Sequence, residues 1–381
     1  MKKKMAFIDL TNFKDWPMGG MLEYERAILK YLVKEYDVDI WGVSVDGIAN
    51  ETIILDGKQY PVHIFANVKT KKRILPNYWR GLNFFKYKKL FQEKYDIIYA
   101  HTGSCLLPFK KLKKNGIKLV YHQHGLNHRV DYSLMSLIQR PGLQFAQYYA
   151  DLVFVVSDKE SVDLYSQEMQ SKTEARYVSI GSPVDLSYFD KEAILKKLIL
   201  KKELATKKFL YTGRLTAYKN VKTLIDAINL YKQNVNENMK LTIAGSGPEW
   251  DNLHQQIYDL KLEDNVEMLG NVSHDQIYQL LEEADIFLTA SGGEGVSVSV
   301  IEAYASGLPV VCFDVPGLEK QVLDNVTGAI AKEKTVDAFF EAMLRVDKNR
   351  LKLSLNCLEE AEKYEDKKIS EKIVTEINAL F

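Results

Sequence analysis

The chain has 381 residues, too many for one ordinary core and enough for two α/β domains. Its 46% hydrophobic and 27% charged content is that of a soluble globular protein, with no apolar run long enough to span a bilayer and no signal-peptide pattern. Net charge is zero, yet residues 1–185 carry 27 Lys and Arg against 20 Asp and Glu, and the rest 24 against 31, so a basic front half precedes an acidic back half. Cys105, Cys312 and Cys357 are scattered, which argues for a reducing compartment and against a disulfide framework or zinc site.

The first predicted strand covers 5–10, and a helix follows over about 21–35. Between them, Gly19-Gly20 sits at a strand-to-helix turn, where backbone amides approach a ligand closely; the same pair also serves plain turns. A strand over 38–43 comes next. Residues 69–94 hold nine basic residues and one acidic, interleaved with Tyr78, Trp79, Phe84, Phe85, Tyr87 and Phe91. Two readings stay open: an interfacial helix on an anionic membrane surface, or a helix with core aromatics and a solvated lysine face. No nucleic-acid-reading module accompanies the charge, so nucleic acid is not an expected partner.

Strands over 97–100 and 119–121 follow, and the second runs into His122-Gln123-His124-Gly125. His124, just past a strand end, suits a cleft residue that accepts a sugar hydroxyl or stabilises charge. His-x-His also has metal-ligand spacing, but no carboxylate or cysteine cluster completes a site, and no metal is expected. Strands over 151–157 and 176–180 lead to the turn Gly181-Ser182-Pro183-Val184-Asp185, which closes the first domain.

After a lysine-rich helix over 193–204, a strand over 209–213 opens a second α/β domain. It leads into Arg214 and Lys219, two cations five apart on a loop at a strand's carboxyl end, able to clamp a diphosphate from two sides. Then come a strand over 240–244, the turn Gly245-Ser246-Gly247-Pro248, a helix over 249–260, a strand over 266–269 and a helix over 274–283. A buried strand over 286–290 breaks at Ser291-Gly292-Gly293, and a helix over 298–305 stops at Gly307 and Pro309 before a strand from 310. The N–H groups at that helix start suit a phosphate, and the carboxylates of Glu294 and Glu302 suit vicinal sugar hydroxyls. Acidic residues there also simply complement the helix dipole. Taken with a ligand-binding loop at a strand's carboxyl end, the outline is that of a nucleotide-sugar.

Gly213-Arg214-Leu215…Lys219-Asn220, Ala244-Gly245-Ser246-Gly247-Pro248 and Glu294…Glu302-Ala303…Gly307-Leu308-Pro309-Val310-Val311 arrive in order, and together they resemble the retaining glycosyltransferase family 4. The likeness is strong over 205–330 and rests in the first half on Gly19-Gly20, His124-Gly125 and Val184-Asp185. It implies the GT-B fold: two Rossmann-like, doubly wound parallel-sheet domains facing a central cleft. The implied boundaries are 1–185 on the acceptor side, 186–365 for nucleotide-sugar binding, and a C-terminal helix, 366–381, crossing back to the first domain.

The resemblance further implies roles. Arg214 and Lys219 neutralise the departing diphosphate, Glu302 binds the ribose, Glu294 touches donor-sugar hydroxyls, and Gly295, Val296, Ser297 and Val298 bring backbone to sugar and phosphate. Gly19 and Gly20 leave room for the diphosphate, and His124 lies near the reacting sugar. The expected reaction moves a hexose or N-acetylhexosamine with retention from a UDP-sugar to a lipid-linked or other cell-envelope glycan, without cofactor or metal. The expected location is the cytoplasm, at the inner face of the cell membrane, with peripheral contact through 69–94. A GT-B epimerase or hydrolase, or a non-catalytic nucleotide-sugar-binding subunit, are the alternatives. Two departures stand out: Gly295-Val296-Ser297 replaces a Gly-Phe-Gly pattern, and Gly181-Ser182-Pro183-Val184-Asp185 replaces Asn-Gly-Val-Asp.

Overall fold

The computed structural model describes residues 2–13, 20–45, 47, 51–68, 77–125, 134–200 and 206–381. Contacts divide the chain into two units, Met1–Pro183 with Asp366–Phe381, and Val184–Glu365.

In the first unit the strands are β1 (Lys4–Ile8), β2 (Asp37–Ser44), β3 (Glu51–Leu55), β4 (Lys58–Asn67), β5 (Ile97–Ala100), β6 (Lys118–Gln123), β7 (Leu152–Val156) and β8 (Arg176–Ile180). The helices are α1 (Gly20–Glu35), α2 (Lys88–Lys94), α3 (Leu134–Tyr149) and α4 (Lys159–Met169). The sheet order is β3-β4-β2-β1-β5-β6-β7-β8. Strands such as β5 and β7 are buried at every residue, as expected when helices cover both faces of a parallel sheet. The edge departs from the expected parallel sheet: β3 and β4 pair antiparallel around Asp56-Gly57, both at positive φ, the backbone a two-residue hairpin demands.

Part of the basic-aromatic stretch is core. Asn77–Tyr87 is 3-10 helical and runs into α2. Phe84 and Phe91 are fully buried among Phe65, Trp41 and Phe109, with ring centroids 4.3–5.8 Å apart. Phe85, Leu82 and Leu90 remain exposed beside Lys86 and Lys89. Residues 69–76 lie outside the described residues.

The second unit holds strands β9 (Lys207–Thr212), β10 (Met239–Ala244), β11 (Val266–Gly270), β12 (Ile286–Thr289), β13 (Val310–Phe313) and β14 (Gly328–Ala331). Its helices are α5 (Lys191–Leu200), α6 (Val221–Asn234), α7 (Trp250–Asp259), α8 (His274–Glu283), α9 (Val298–Ala305), α10 (Leu318–Gln321) and α11 (Val336–Ala361). All its strand pairs are parallel, in the order β11-β10-β9-β12-β13-β14. Counted from β9 this is the dinucleotide-fold order 3-2-1-4-5-6, with the switch point between β9 and β12. The final helix, α12 (Asp366–Asn378), packs in the first unit against α1, where Asp366 is ion-paired to Lys30 and accepts a hydrogen bond from the Tyr31 hydroxyl at 3.1 Å.

Candidate active site

The loops leaving β9 and β12 meet at the switch point of the second unit. The β9 loop first pairs with the β10 loop through backbone alone: Gly213 N–H donates to Ala244 O (3.0 Å) and Leu215 N–H to Ser246 O (2.9 Å). That approach explains the glycines. A Cβ on Gly245 would lie 1.8 Å from Gly213 O, and one on Gly247 would lie 2.2 Å from Leu215 O. The Tyr211 hydroxyl donates to Arg214 O at 3.0 Å and so fixes the turn that carries Arg214. Arg214 is exposed, and its guanidinium has no ion-pair partner among the described residues.

The β12 loop then docks on the β9 loop. Gly292 N–H donates to Tyr218 O at 2.9 Å, and the Tyr218 ring lies where side chains on Gly292 or Gly293 would stand. Lys219 Nζ forms an ion pair with Glu294 Oε1, both side chains largely buried. From the other side, Glu294 N–H donates to Pro316 O at 2.9 Å, while Gly317, at φ +88°, packs so close that a Cβ would sit 2.1 Å from Glu294 O. Glu294 and Arg214 both act on the Tyr211 hydroxyl, whose pKa burial raises, with Glu294 adding to the rise and Arg214 opposing it.

Gln321, at the end of α10 and buried, spans the backbone of Ser297: Oε1 accepts from Ser297 N–H and Nε2 donates to Ser297 O, each at 2.9 Å. The Ser297 amide expected to meet an oxyanion is therefore already engaged. The next amide, that of Val298, opens α9 and has no partner within the helix. Ser297 makes no side-chain cap; its Oγ lies 3.0 Å from Ser299 Oγ. Val296 and Val298 turn their side chains onto the core of this unit.

Glu302, in α9, is buried and lies 3.1 Å from His274 Nε2. His274 is the first residue of α8, which a capping box of Ser273 and Gln276 starts. Its ring meets Tyr278 edge-on at 4.7 Å, and Tyr278 stacks on Tyr188 at 4.7 Å.

In the first unit the carboxyl ends of β1, β5 and β6 gather Asp9, His101 and His124, with Glu25 of α1 beneath. His101 Nδ1 is 2.9 Å from His124 Nε2. Burial pushes the His124 pKa down to about 4, and burial with the neighbouring rings lowers those of His101 and His122. Gly20 begins α1, whereas Gly19 lies outside the described residues. Among the described residues, no three His, Cys, Asp or Glu side chains gather as metal ligands, and no helix is long and apolar enough to cross a membrane.

Two family profiles match this chain: Glycosyl transferases group 1 over residues 190–364 and Glycosyltransferase Family 4 over residues 18–178. The chain belongs to glycosyltransferase family 4. The amylovoran biosynthesis glycosyltransferase AmsK of Erwinia amylovora is 36% identical over 145 residues, 36% of this chain and 35% of that one. The UDP-Gal:alpha-D-GlcNAc-diphosphoundecaprenol alpha-1,3-galactosyltransferase of Escherichia coli is 24% identical over 321 residues, 78% of this chain and 80% of that one. These alignments span about a third of the first relative's length and four fifths of the second's. Sucrose-phosphate synthase from Thermosynechococcus elongatus superposes with a TM-score of 0.79 at 18% identity, covering 100% of this chain and 99% of that one, and the fold is GT-B.

In this glycosyltransferase the second unit thus brings Lys219 and Glu294 into contact and sets Glu302 on the helix that follows. Sequence reasoning missed Gln321, Tyr218, His274 and Glu25. A signal existed for the first, since Pro316-Gly317 marks a turn after β13, and for His274, since Ser273…Gln276 marks a helix start.

Proposed function

We propose that this glycosyltransferase moves a hexose or N-acetylhexosamine, with retained anomeric configuration, from a UDP-sugar to a lipid-linked or other cell-envelope glycan. The observation that carries this is the paired basic and glycine loops at the switch point, where Lys219 pairs with Glu294 just before α9 and Arg214 and Glu294 both act on the Tyr211 hydroxyl. A UDP-sugar donor and a diphosphoundecaprenol-linked acceptor are what the name of the Escherichia coli relative describes.

In this reading Arg214 and Lys219 stabilise the charge that builds on the leaving diphosphate, where fixed cations help most and a metal is not needed. Glu302, oriented by His274, accepts from the ribose hydroxyls. Glu294 accepts from the sugar hydroxyls once the nucleotide draws Lys219 away from it. Gly295 and the Val298 amide bring backbone to sugar and phosphate, Gly19 and Gly20 leave space for the diphosphate, and His124 hydrogen-bonds a substrate hydroxyl. The sugar C1–O bond to the diphosphate breaks as the acceptor oxygen bonds C1 on the same face. The acceptor's proton passes to the leaving phosphate oxygen. Lys86, Lys89 and the exposed Phe85 rest on an anionic membrane surface at its cytoplasmic face, close to a lipid-linked acceptor.

The test is a panel of UDP-, GDP- and ADP-sugars with chelator present, followed by mass spectrometry. Release of UDP from one donor, accelerated by a membrane glycolipid extract that gains the sugar, is the expected result. Release of altered sugar without acceptor would point to an epimerase or hydrolase, and no release from any donor would overturn the reading.

A further inference from the structure

Within His122-Gln123-His124-Gly125, Gln123 has no part in the proposed reaction. It ends β6 fully buried, and Gln147 of α3 is buried with it. A buried side-chain amide lowers stability unless its N–H and C=O groups are hydrogen-bonded, and an apolar residue of similar size carries no such cost. Native cores keep such amides where their partners are supplied.

Here the partners stand in a line. Gln123 Nε2 donates to Gly125 O at 2.8 Å, Gln147 Nε2 donates to Gln123 Oε1, and the Tyr165 hydroxyl of α4 donates to Gln147 Oε1 at 2.8 Å. The direction of the line follows from its end. A backbone carbonyl only accepts, so the Gln123 atom that meets Gly125 O is the nitrogen, and the Gln123 oxygen faces Gln147. That oxygen also only accepts, which turns the Gln147 nitrogen toward it and leaves the Gln147 oxygen to the tyrosine hydroxyl. Each amide therefore has a single orientation. The main chain of Gln147 is held as well, since Thr173 Oγ1 donates to Gln147 O at 3.1 Å.

At its far end the line meets the backbone that carries His124. The ladder of β6 with β7 ends at Gln123 and Val155, and that with β5 ends at Tyr121, so among the described residues neither ladder reaches His124 or Gly125. Gly125 lies at φ +87°, and a Cβ there would meet nothing within 4 Å, so the glycine serves conformation and not space. The His124 ring is held at Nε2, 2.9 Å from His101 Nδ1. The peptide beside it is held by the Gln123 amide.

We infer that Tyr165, Gln147 and Gln123 are positioning residues that set the peptide at Gly125 and so aim His124 at the substrate. The inference rests on the reading of His124 as a residue that meets substrate. On that reading a displaced His124 slows the reaction, while donor binding, carried by Arg214 and Lys219 of the second unit, is left unchanged.

The test replaces the whole line by apolar residues of similar size in the full chain, with Gln123→Met, Gln147→Met and Tyr165→Phe combined. Removing the partners together leaves no buried side-chain amide unsatisfied, so the melting temperature is expected to match or exceed that of wild type. By contrast, kcat is expected to fall about 10- to 100-fold with the donor KM unchanged, the loss that follows a displacement of ~1 Å. In protein labelled with 15N-glycine and 15N-histidine, the Gly125 amide and His124 ring signals should shift, with the Gly245 amide of the second unit as the control for folding. A purely structural role predicts the reverse, a lower melting temperature with kcat kept. A folded triple variant with wild-type kcat overturns the proposal, and so do unchanged Gly125 and His124 signals. Tyr165→Phe alone removes one hydroxyl, two links from Gly125, and guards against a triple variant that does not fold. It should move the Gly125 signal and lower kcat several-fold, and no change in either overturns the proposal. Wild-type turnover in His124→Asn would instead sink the reading of His124 as a substrate contact, with the Gly125 signal still deciding whether the line sets that peptide.

Discussion

The Gln321 side chain takes both hydrogen-bonding groups of Ser297 at once, 2.9 Å from the N–H and 2.9 Å from the carbonyl. A residue after β13 thereby sets the backbone at the start of α9. Gln321→Ala removes both partners from the part-buried Ser297 N–H and carbonyl, at a cost of about 1 kcal/mol. The expected outcome is a lower melting temperature and a donor KM raised about tenfold, with a smaller change in kcat, since one lost hydrogen bond is worth roughly that factor. Unchanged KM would show that Ser297 does not shape the donor loop.

Gly245 tests the pairing of the β9 and β10 loops. In Gly245→Ala the new Cβ would fall 1.8 Å from Gly213 O, so the two loops must separate. A loss of at least about 2 kcal/mol is expected in thermal or urea unfolding. Gly57→Ala, at a hairpin turn with nothing within 4 Å, serves as the strain-only comparison and should cost about 1 kcal/mol. Equal losses in the two variants would mean the close approach does not govern the loop.

The buried carboxyl of Glu25 predicts a pH effect of definite sign. Its folded pKa lies well above the ordinary 4.5 because of burial and the charge of Asp9. The native state keeps a proton that the unfolded chain has lost, so stability falls as pH rises above about 4.5. Glu25→Gln lacks that loss. Its melting temperature relative to wild type should climb as pH rises above about 4.5, and a constant difference would contradict a raised Glu25 pKa. The histidines act in the opposite sense: with the His124 pKa near 4, protonation of the unfolded chain lowers native stability as pH falls from 6.5 towards 4.

The basic surface of the first unit makes a separate prediction. Replacing Lys86, Lys88 and Lys89 by Ser should weaken binding to vesicles containing anionic lipid, at about 1 kcal/mol per lysine near the surface. Cosedimentation measures it, and unchanged binding would return these lysines to an ordinary solvated face.

Much of the second unit was legible because its strands are short apolar runs closed by Gly or Pro. The helix over 298–305 and the strand over 310–313 appear at those residues. The hairpin of β3 and β4 was missed although Asp56-Gly57 marks it; the apolar run of β3 is only Ile53-Ile54-Leu55, too short to stand out as a strand. Lys219 and Glu294 were readable as charges, but their contact is a product of topology, since they stand 75 positions apart in the sequence. For Gln321 the Pro316-Gly317 turn marked the place but not the role, because its partner is the Ser297 main chain, which leaves no side-chain pattern. Glu25 sits in an ordinary helix, and only the sheet places Asp9 and His101 against it.

The most direct test of the central claim is turnover of a nucleotide-sugar by wild type, Lys219→Ala and Arg214→Ala, with chelator present and folding checked by circular dichroism. If these cations stabilise the leaving diphosphate, each variant should lose roughly 10²–10³ in kcat while remaining folded. A folded Lys219→Ala with wild-type kcat would contradict the diphosphate clamp.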